Sequence, residues 1–225
     1  MSLILNIDTT SESALVNIAE NGTVVFEAAN DSQKDHASFL HPALLMVLKK
    51  AGIKMNEVDA VAVCHGPGSY TGIRVGVAAA KGLCYAAGKP LITVNQLEIL
   101  TKDVIDNHSD INGLYCPMID ARRMEVFTAV YDNKLKELVP PCALLIDHHS
   151  FHEFLAAGKV FFVGSGVTKW QPLCIHENAR YKKSVNKGLA FSKLSYELLQ
   201  QASFASIAYA SPLYIKEFYT TAVAR

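Results

Sequence analysis

The sequence has no Cys-x-x-Cys pair, no run of five basic residues, no long apolar stretch and no excess of charge of either sign. Each absence removes a class of function. Lys+Arg and Asp+Glu both total 21, for a formal net charge of +0. Affinity for nucleic acid rests on cations that release counterions from phosphates, so a neutral chain without a basic run is poorly equipped to hold RNA alone. Any RNA would have to be gripped by a partner. The five cysteines, Cys64, Cys84, Cys116, Cys142 and Cys174, are odd in number and lack zinc-ligand spacing. They read as small apolar core residues in a reducing compartment. A bilayer span needs roughly 18 consecutive apolar residues, which the sequence does not offer, so no membrane association is expected. The opening segment Met1 to Asp8 carries no cationic leader and meets a carboxylate at position 8, and the expected location is the cytoplasm.

What the sequence does hold is a globular composition: 225 residues, 50% apolar and 19% charged. A chain of this size buries on the order of 70% of the surface its unfolded form exposes, and needs no disulfide or metal to fold. Leu3 to Asp8, Ala14 to Glu20 and Thr23 to Ala28 are short segments rich in Val, Ile and Phe, and they predict an antiparallel meander. From Ser38 to Ala51, Leu40, Leu44, Val47, Leu48 and Ala51 recur at helical spacing, with Lys49, Lys50 and Gly52 as stop signals. Asp59 to Cys64 reads as a buried strand, followed by a glycine-rich loop and a helix of small residues to about Ala87. Leu91 to Val94 is a further strand, and Asn95 can cap a helix from Gln96 to about Ile105.

The polar stretch from Asp106 to Gly113 breaks the periodicity, after which the order of elements starts again. Leu114 to Asp120 and Met124 to Tyr131 read as a hairpin, and Leu135 to Leu145 as a third extended piece. His149 to Ala157 reads as a helix, Val160 to Val163 as a strand, and Leu189 to Ala202 as a late helix. Both first strands end in Ile-Asp, at Asp8 and Asp120. Two facing lobes of this order describe an α/β actin-like ATPase (ASKHA) fold, each lobe a mixed sheet with helices in ribonuclease H-like topology. The expected division is 1–106 for a partner-binding lobe and 107–225 for a second, with the last helix free to return to the first. By analogy with that fold, Asp8 and Asp120 are expected to point into a cleft between the lobes.

The strongest local signal is the loop from Gly66 to Gly76, with Gly68, Ser69, Thr71, Gly72 and Arg74 between them. It leaves a strand and opens a helix, where free amides and the helix dipole favour an anion. It is neither a Walker A loop nor the Gly-x-Gly-x-x-Gly fingerprint, and a tight turn capped by Ser69 or Thr71 serves as well. A cation in a first helical turn opposes the dipole, so Arg74 is expected to meet a carboxylate or phosphate. Small residues recur at every fourth position, Gly72, Gly76, Ala80 and Cys84. The ridge permits close packing either on the chain's own sheet or against a foreign helix. The expectation is a subunit interface that also uses Leu40 and Leu44.

Ile7-Asp8-Thr9-Thr10, the His36 region with Pro42, the Gly66 to Gly76 loop, Ile119-Asp120-Ala121-Arg122 with Glu125-Val126-Phe127, and Pro212-Leu213-Tyr214-Ile215-Lys216 together resemble the TsaB (YeaZ) family. The resemblance spans nearly the whole chain. It implies a non-catalytic accessory subunit in the synthesis of threonylcarbamoyladenosine beside the tRNA anticodon. In that system a TsaD-like paralogue transfers the threonylcarbamoyl group and a TsaE-like P-loop ATPase joins the assembly. It also implies a homodimer when the subunit is alone, and contact with tRNA only through the complex.

Histidines and nucleotide turns depart from a working enzyme. The family's transferase holds a metal with a His-x-x-x-His pair, whereas His36 and His41 stand about 140° apart around a helix. His148, His149 and His152 with Glu153 fall in the other lobe, where Asp147 capping a surface helix accounts for them, so no metal is expected. Asp8, Thr9 and Thr10 look like a first phosphate turn, but the second, with Asp120 and Arg122, lacks glycine and hydroxyl residues. No cofactor is required on this reading, and an adenine nucleotide would bind weakly or with a partner's help. The alternative is an actin-like small-molecule kinase or ATPase, with Mg²⁺ held by Asp8 or Asp120.

Overall fold

A computed structural model describes residues 1–31, 35–108 and 112–216. Within them β1 (Leu3–Asp8), β2 (Ala14–Glu20) and β3 (Thr23–Asn30) form the meander, followed by α1 (His36–Ala51), β4 (Ala60–Cys64), α2 (Tyr70–Ala87), β5 (Leu91–Val94) and α3 (Gln96–Asn107). The second series is β6 (Leu114–Asp120), β7 (Glu125–Tyr131), β8 (Glu137–Leu145), α4 (His152–Ala157), β9 (Val160–Val163), α5 (Val167–Trp170), β10 (Ala179–Lys182) and α6 (Lys187–Gln200).

The first sheet runs β3-β2-β1-β4-β5 and the second β8-β7-β6-β9-β10, the same order twice. In each, the first strand pairs antiparallel with the second and parallel with the fourth: Ile4 faces Ala60, and Leu114 faces Val160. The duplicated topology read from the sequence is borne out.

Side chains alternate across a strand, and both faces of the first sheet are covered, which is why its central strands read as continuous apolar runs. Leu5, Ile7, Val61 and Val63 pack against Leu40, Leu44 and Val47 of α1 and Ile73, Val77 and Ala80 of α2. Ile4, Ala60, Ala62 and Cys64 face the other way, onto Phe191 and Leu194 of α6 and Ile99 of α3. Leu100 and Val104 on another side of α3 pack with Tyr115 and Phe161 of the second sheet. Thus α3 and α6 lie between the two sheets. The second sheet's outer core gathers around Trp170, Phe162 and Phe151.

Several boundaries differ from the expected ones. α4 begins at His152 rather than His149, because Asp147 Oδ1 takes the amides of His149 and Ser150 in a turn, and Phe151 adopts φ 60°. β10 and α5 carry no clear periodic signal. Of the polar stretch 106–113, residues 109–111 lie outside the described residues, as does the tail from 217 to 225. Beyond α6 the chain returns as an extended strap. Ala205 N bonds to Leu91 O on the edge of β5, and Leu213 N bonds to His65 O beside the glycine-rich loop.

Candidate functional site

The first hairpin turn and the glycine-rich loop lie directly against each other. Ser69 N donates to Thr10 O at 2.7 Å, and the Thr9 hydroxyl donates to Gly72 O at 2.6 Å. A Cβ at Gly72 would sit 1.9 Å from Thr9 O, and one at Gly68 would sit 2.2 Å from Thr10 O. Glycine is required here by contact between two backbones, not by an anion. The loop amides turn inward: Gly72 N bonds to the Ser69 hydroxyl, which caps α2, and Ile73 N bonds to Ser69 O. Within the expected anion loop of Gly66, Gly68, Ser69, Thr71 and Arg74, residues Gly68 and Ser69 thus form a packing junction with the first turn. Among the described residues the partners of Arg74 are tyrosines and not carboxylates. Its Nε donates to the Tyr214 hydroxyl at 2.9 Å and its guanidinium lies 4.2 Å above the Tyr70 ring, a cation–π contact.

Asp8 does not open into a cleft. It is fully buried, and its Oδ1 accepts the Thr10 amide at 2.9 Å and lies 2.6 Å from the Thr10 hydroxyl, which is also 3.1 Å from Gln96 Oε1. Asp8 Oδ2 has no hydrogen-bond partner among the described residues, but it is sealed from the surface. Burial, and after it the charge of Asp8, pushes the neighbouring Cys64 thiol well up, which disfavours the thiolate form. Asp120 is exposed instead. Its Oδ1 accepts the Arg122 amide at 2.6 Å and the Lys169 ammonium at 2.6 Å. Slight burial raises the Asp120 carboxyl, and the Lys169 and Arg122 bonds outweigh that and hold it below the usual carboxylate range. Both aspartates thus close turns on their own backbone.

These residues do not fit an adenine nucleotide. Both first-turn threonine hydroxyls are spent inside the chain, and the second turn presents Arg122 and Arg123 at φ 68° and 46° where close backbone approach would favour glycine. The His152 and His176 rings lie 6.4 Å apart, but the other predicted histidines do not join them. His36 Nε2 lies 2.8 Å from Ser11 O while His41 is exposed, and His148 Nδ1 lies 3.2 Å from Leu173 O. Among the described residues no three His, Cys, Asp or Glu side chains group as metal ligands.

The ridge Gly72, Gly76, Ala80 and Cys84 is buried within the chain, and so are Leu40 and Leu44. A Cβ at Gly76 would meet Thr9 Oγ1 at 2.5 Å and Val63 at 3.6 Å, so the small residues let α2 settle on β1 and β4. The expected interface residues are corrected accordingly: they form the floor, and the accessible face is the opposite one. There His41, Val75, Ala78, Ala79, Gly82 and Leu83 line a cavity of about 400 Å³ between α1 and α2. On the other flank of α2, Arg74, Val77, Lys81, Ala210, Pro212 and Tyr214 border one of about 550 Å³. Lys81 Nζ anchors the strap by donating to Ala208 O and Ala210 O. Leu45, one turn beyond His41, is 72% exposed and Tyr85, one turn beyond Lys81, is 84% exposed. The sequence signal for this face was the run Val75-Gly-Val-Ala-Ala-Ala, which is apolar all round where a surface helix would be half polar.

The family described as TsaD, tRNA N6-adenosine threonylcarbamoyltransferase, matches residues 14–210. The chain belongs to this family. Its motifs are also similar to TsaB: the tRNA threonylcarbamoyladenosine biosynthesis protein TsaB of Bacillus subtilis is 34% identical over 140 residues, 61% of this chain and 59% of that protein. The chain spans a little over half the length of the curated TsaB relatives it matches. YeaZ from Pseudomonas aeruginosa has a similar structure, with a TM-score of 0.82 at 23% identity over 95% of this chain and 100% of that one. The polyphosphate/ATP-glucomannokinase of Arthrobacter sp. shares the fold alone, with a TM-score of 0.52 at 11% identity over 88% of this chain and 100% of that one. The resemblance read from the motifs and the actin-like fold are both borne out. Among the described residues, no helix of this TsaD-family chain is long and apolar enough to cross a membrane.

Proposed function

We propose that this chain is a non-catalytic partner subunit in tRNA threonylcarbamoyladenosine synthesis. It docks the outer face of α1 and α2 on a homologous TsaD-like subunit, and a TsaE-like P-loop ATPase joins the pair. The observation that carries this reading is the exposed apolar face around Ala78, Ala79 and Gly82, set in a chain whose first phosphate-like turn is sealed and whose second carries Arg122 and Arg123 in place of glycine. In the absence of the partner the same face pairs two copies of the chain, because a self-complementary apolar patch supports a two-fold dimer. The partner carries most of the grip on tRNA, as the neutral charge requires.

Ala78→Glu, at an exposed position of the same face, with Gly82→Glu tests the docking. No atom lies within 4 Å of the position a Cβ would take at Gly82, so a side chain there leaves the fold intact. An unpaired carboxylate buried in an apolar interface should weaken the complex at least about 100-fold. Gel filtration of an equimolar mixture is expected to show a heterodimer for the unmodified chain and separate peaks for the variant, whose Tm should be no lower than that of the unmodified chain. A variant that still co-elutes overturns the reading. Gly76 is unsuitable for this purpose, since a Cβ there would lie 2.5 Å from the Thr9 hydroxyl.

The chain requires no cofactor of its own on this proposal, and an adenine nucleotide is held chiefly by the partner. Calorimetry of the isolated chain with ATP and Mg²⁺ is expected to show no binding in the micromolar range. Micromolar binding would instead support the kinase alternative.

A further inference from the structure

We propose that Arg122 and Arg123, at the tip of the β6–β7 hairpin, contact the phosphate backbone of tRNA in the assembled complex; the identity of the polyanion rests on the function proposed above. The two adjacent residues hold φ 68° and 46°, a left-handed conformation that side-chain-bearing residues other than Asn and Asp adopt at a cost. Both are exposed. The acids beside them are already neutralised. Asp120 pairs with Lys169 at 2.6 Å, and Glu125 pairs with Lys216. Neither arginine has a side-chain hydrogen bond or ion pair among the described residues, so two positive charges stand unbalanced on the tip.

Strain at a left-handed non-glycine position points to a function for the side chain held there. Both arginines stand exposed at the hairpin tip, where an extended polyanion can reach them. Arg guanidinium groups form paired hydrogen bonds with phosphate oxygens. The location also suits an RNA delivered by a partner. The Lys216–Glu125 pair ties the hairpin to the strap, and Lys81 and Tyr214 tie the strap to α2, whose outer face is the docking surface. Two phosphate contacts are too few to hold RNA unaided, which agrees with the neutral charge of the chain.

The test is the double variant R122N/R123N, in which asparagine keeps the left-handed turn. Reconstituted with the homologous subunit, it is titrated by filter binding against an in vitro transcript of a tRNA that reads codons beginning with adenine, over a range of KCl concentrations. The variant is expected to join the subunit normally in gel filtration and to keep or raise Tm. Its tRNA affinity should fall about 10-fold near ~0.1 M salt, with the slope of log K against log salt shallower by about 1.5 to 2. R122K/R123K should restore most of that slope. Unchanged affinity and slope for R122N/R123N overturn the inference and leave the subunit reading standing. A variant that loses the homologous subunit also overturns it, by assigning the arginines to an acidic protein surface. If the unmodified chain forms no complex at all, the subunit reading and the inference fall together.

Discussion

Replacing Gly72 by alanine is expected to lower Tm by roughly 4–8 °C, followed by circular dichroism on the isolated chain. Two effects compete. Alanine gains about 1 kcal/mol over glycine in a helix. Against that, the new Cβ would lie 1.9 Å from Thr9 O, a backbone atom that cannot rotate away. The Thr9 hydroxyl bond to Gly72 O would break as α2 lifted from the β1–β2 turn, and the Ser69–Thr10 bond would go with it. A forced backbone shift of this kind costs about 3 kcal/mol or more, so the clash wins. Gly82→Ala supplies the control from the same helix. Nothing lies within 4 Å of its Cβ position, so the propensity gain acts alone and Tm should rise by about 2–4 °C. Equal melting of G72A and the unmodified chain would mean that α2 does not rest on the first turn, and the sealed phosphate site would no longer follow.

Asp103→Ala should be of similar size for a different reason. This carboxylate, on α3 and 1% exposed, accepts the Ser184 hydroxyl at 2.5 Å, Val185 N at 2.7 Å and Asn186 N at 2.9 Å. Asn186 in turn caps α6 by accepting Leu189 N. Removing the carboxylate strands three donors at the start of the helix that brings Ala190, Phe191 and Leu194 onto the first sheet. Loss of a buried, hydrogen-bonded charge costs on the order of 3–5 kcal/mol. Urea titration should show that loss, and hydrogen exchange should show amides of α6 opening more readily than those of β1 and β4. A loss under about 1 kcal/mol would show that α6 is placed by its apolar contacts alone.

The particular residues explain why some features were legible and others were not. The three meander strands, α1 with its Gly52 stop at φ 70°, and the caps Ser69 and Asn95 all follow from short-range rules. β10, whose four residues are all half-buried, offers no alternation to read. Arg74 shows the limit within the candidate site. It falls on the second turn of α2, and its partner Tyr214 lies 140 positions away, where no local rule points. The small-residue ridge shows the same limit in another form. Spacing of four requires that something come close to Gly72, Gly76 and Ala80, and it is silent on what does.

The order and type of most elements, the duplicated sheet topology and the family are properties of the one-dimensional pattern, because periodicity, capping and turn chemistry act over a few residues. Three things were decided only in three dimensions: that the ridge of α2 faces β1 and leaves Val75, Ala79 and Gly82 outside, that Asp8 is sealed while Asp120 is exposed, and that the strap ties α2 to the second hairpin. Each depends on which of two sides of an element meets a segment tens of residues distant. Hydrophobic burial rewards either side with apolar residues, and only the closing of the whole chain chooses between them.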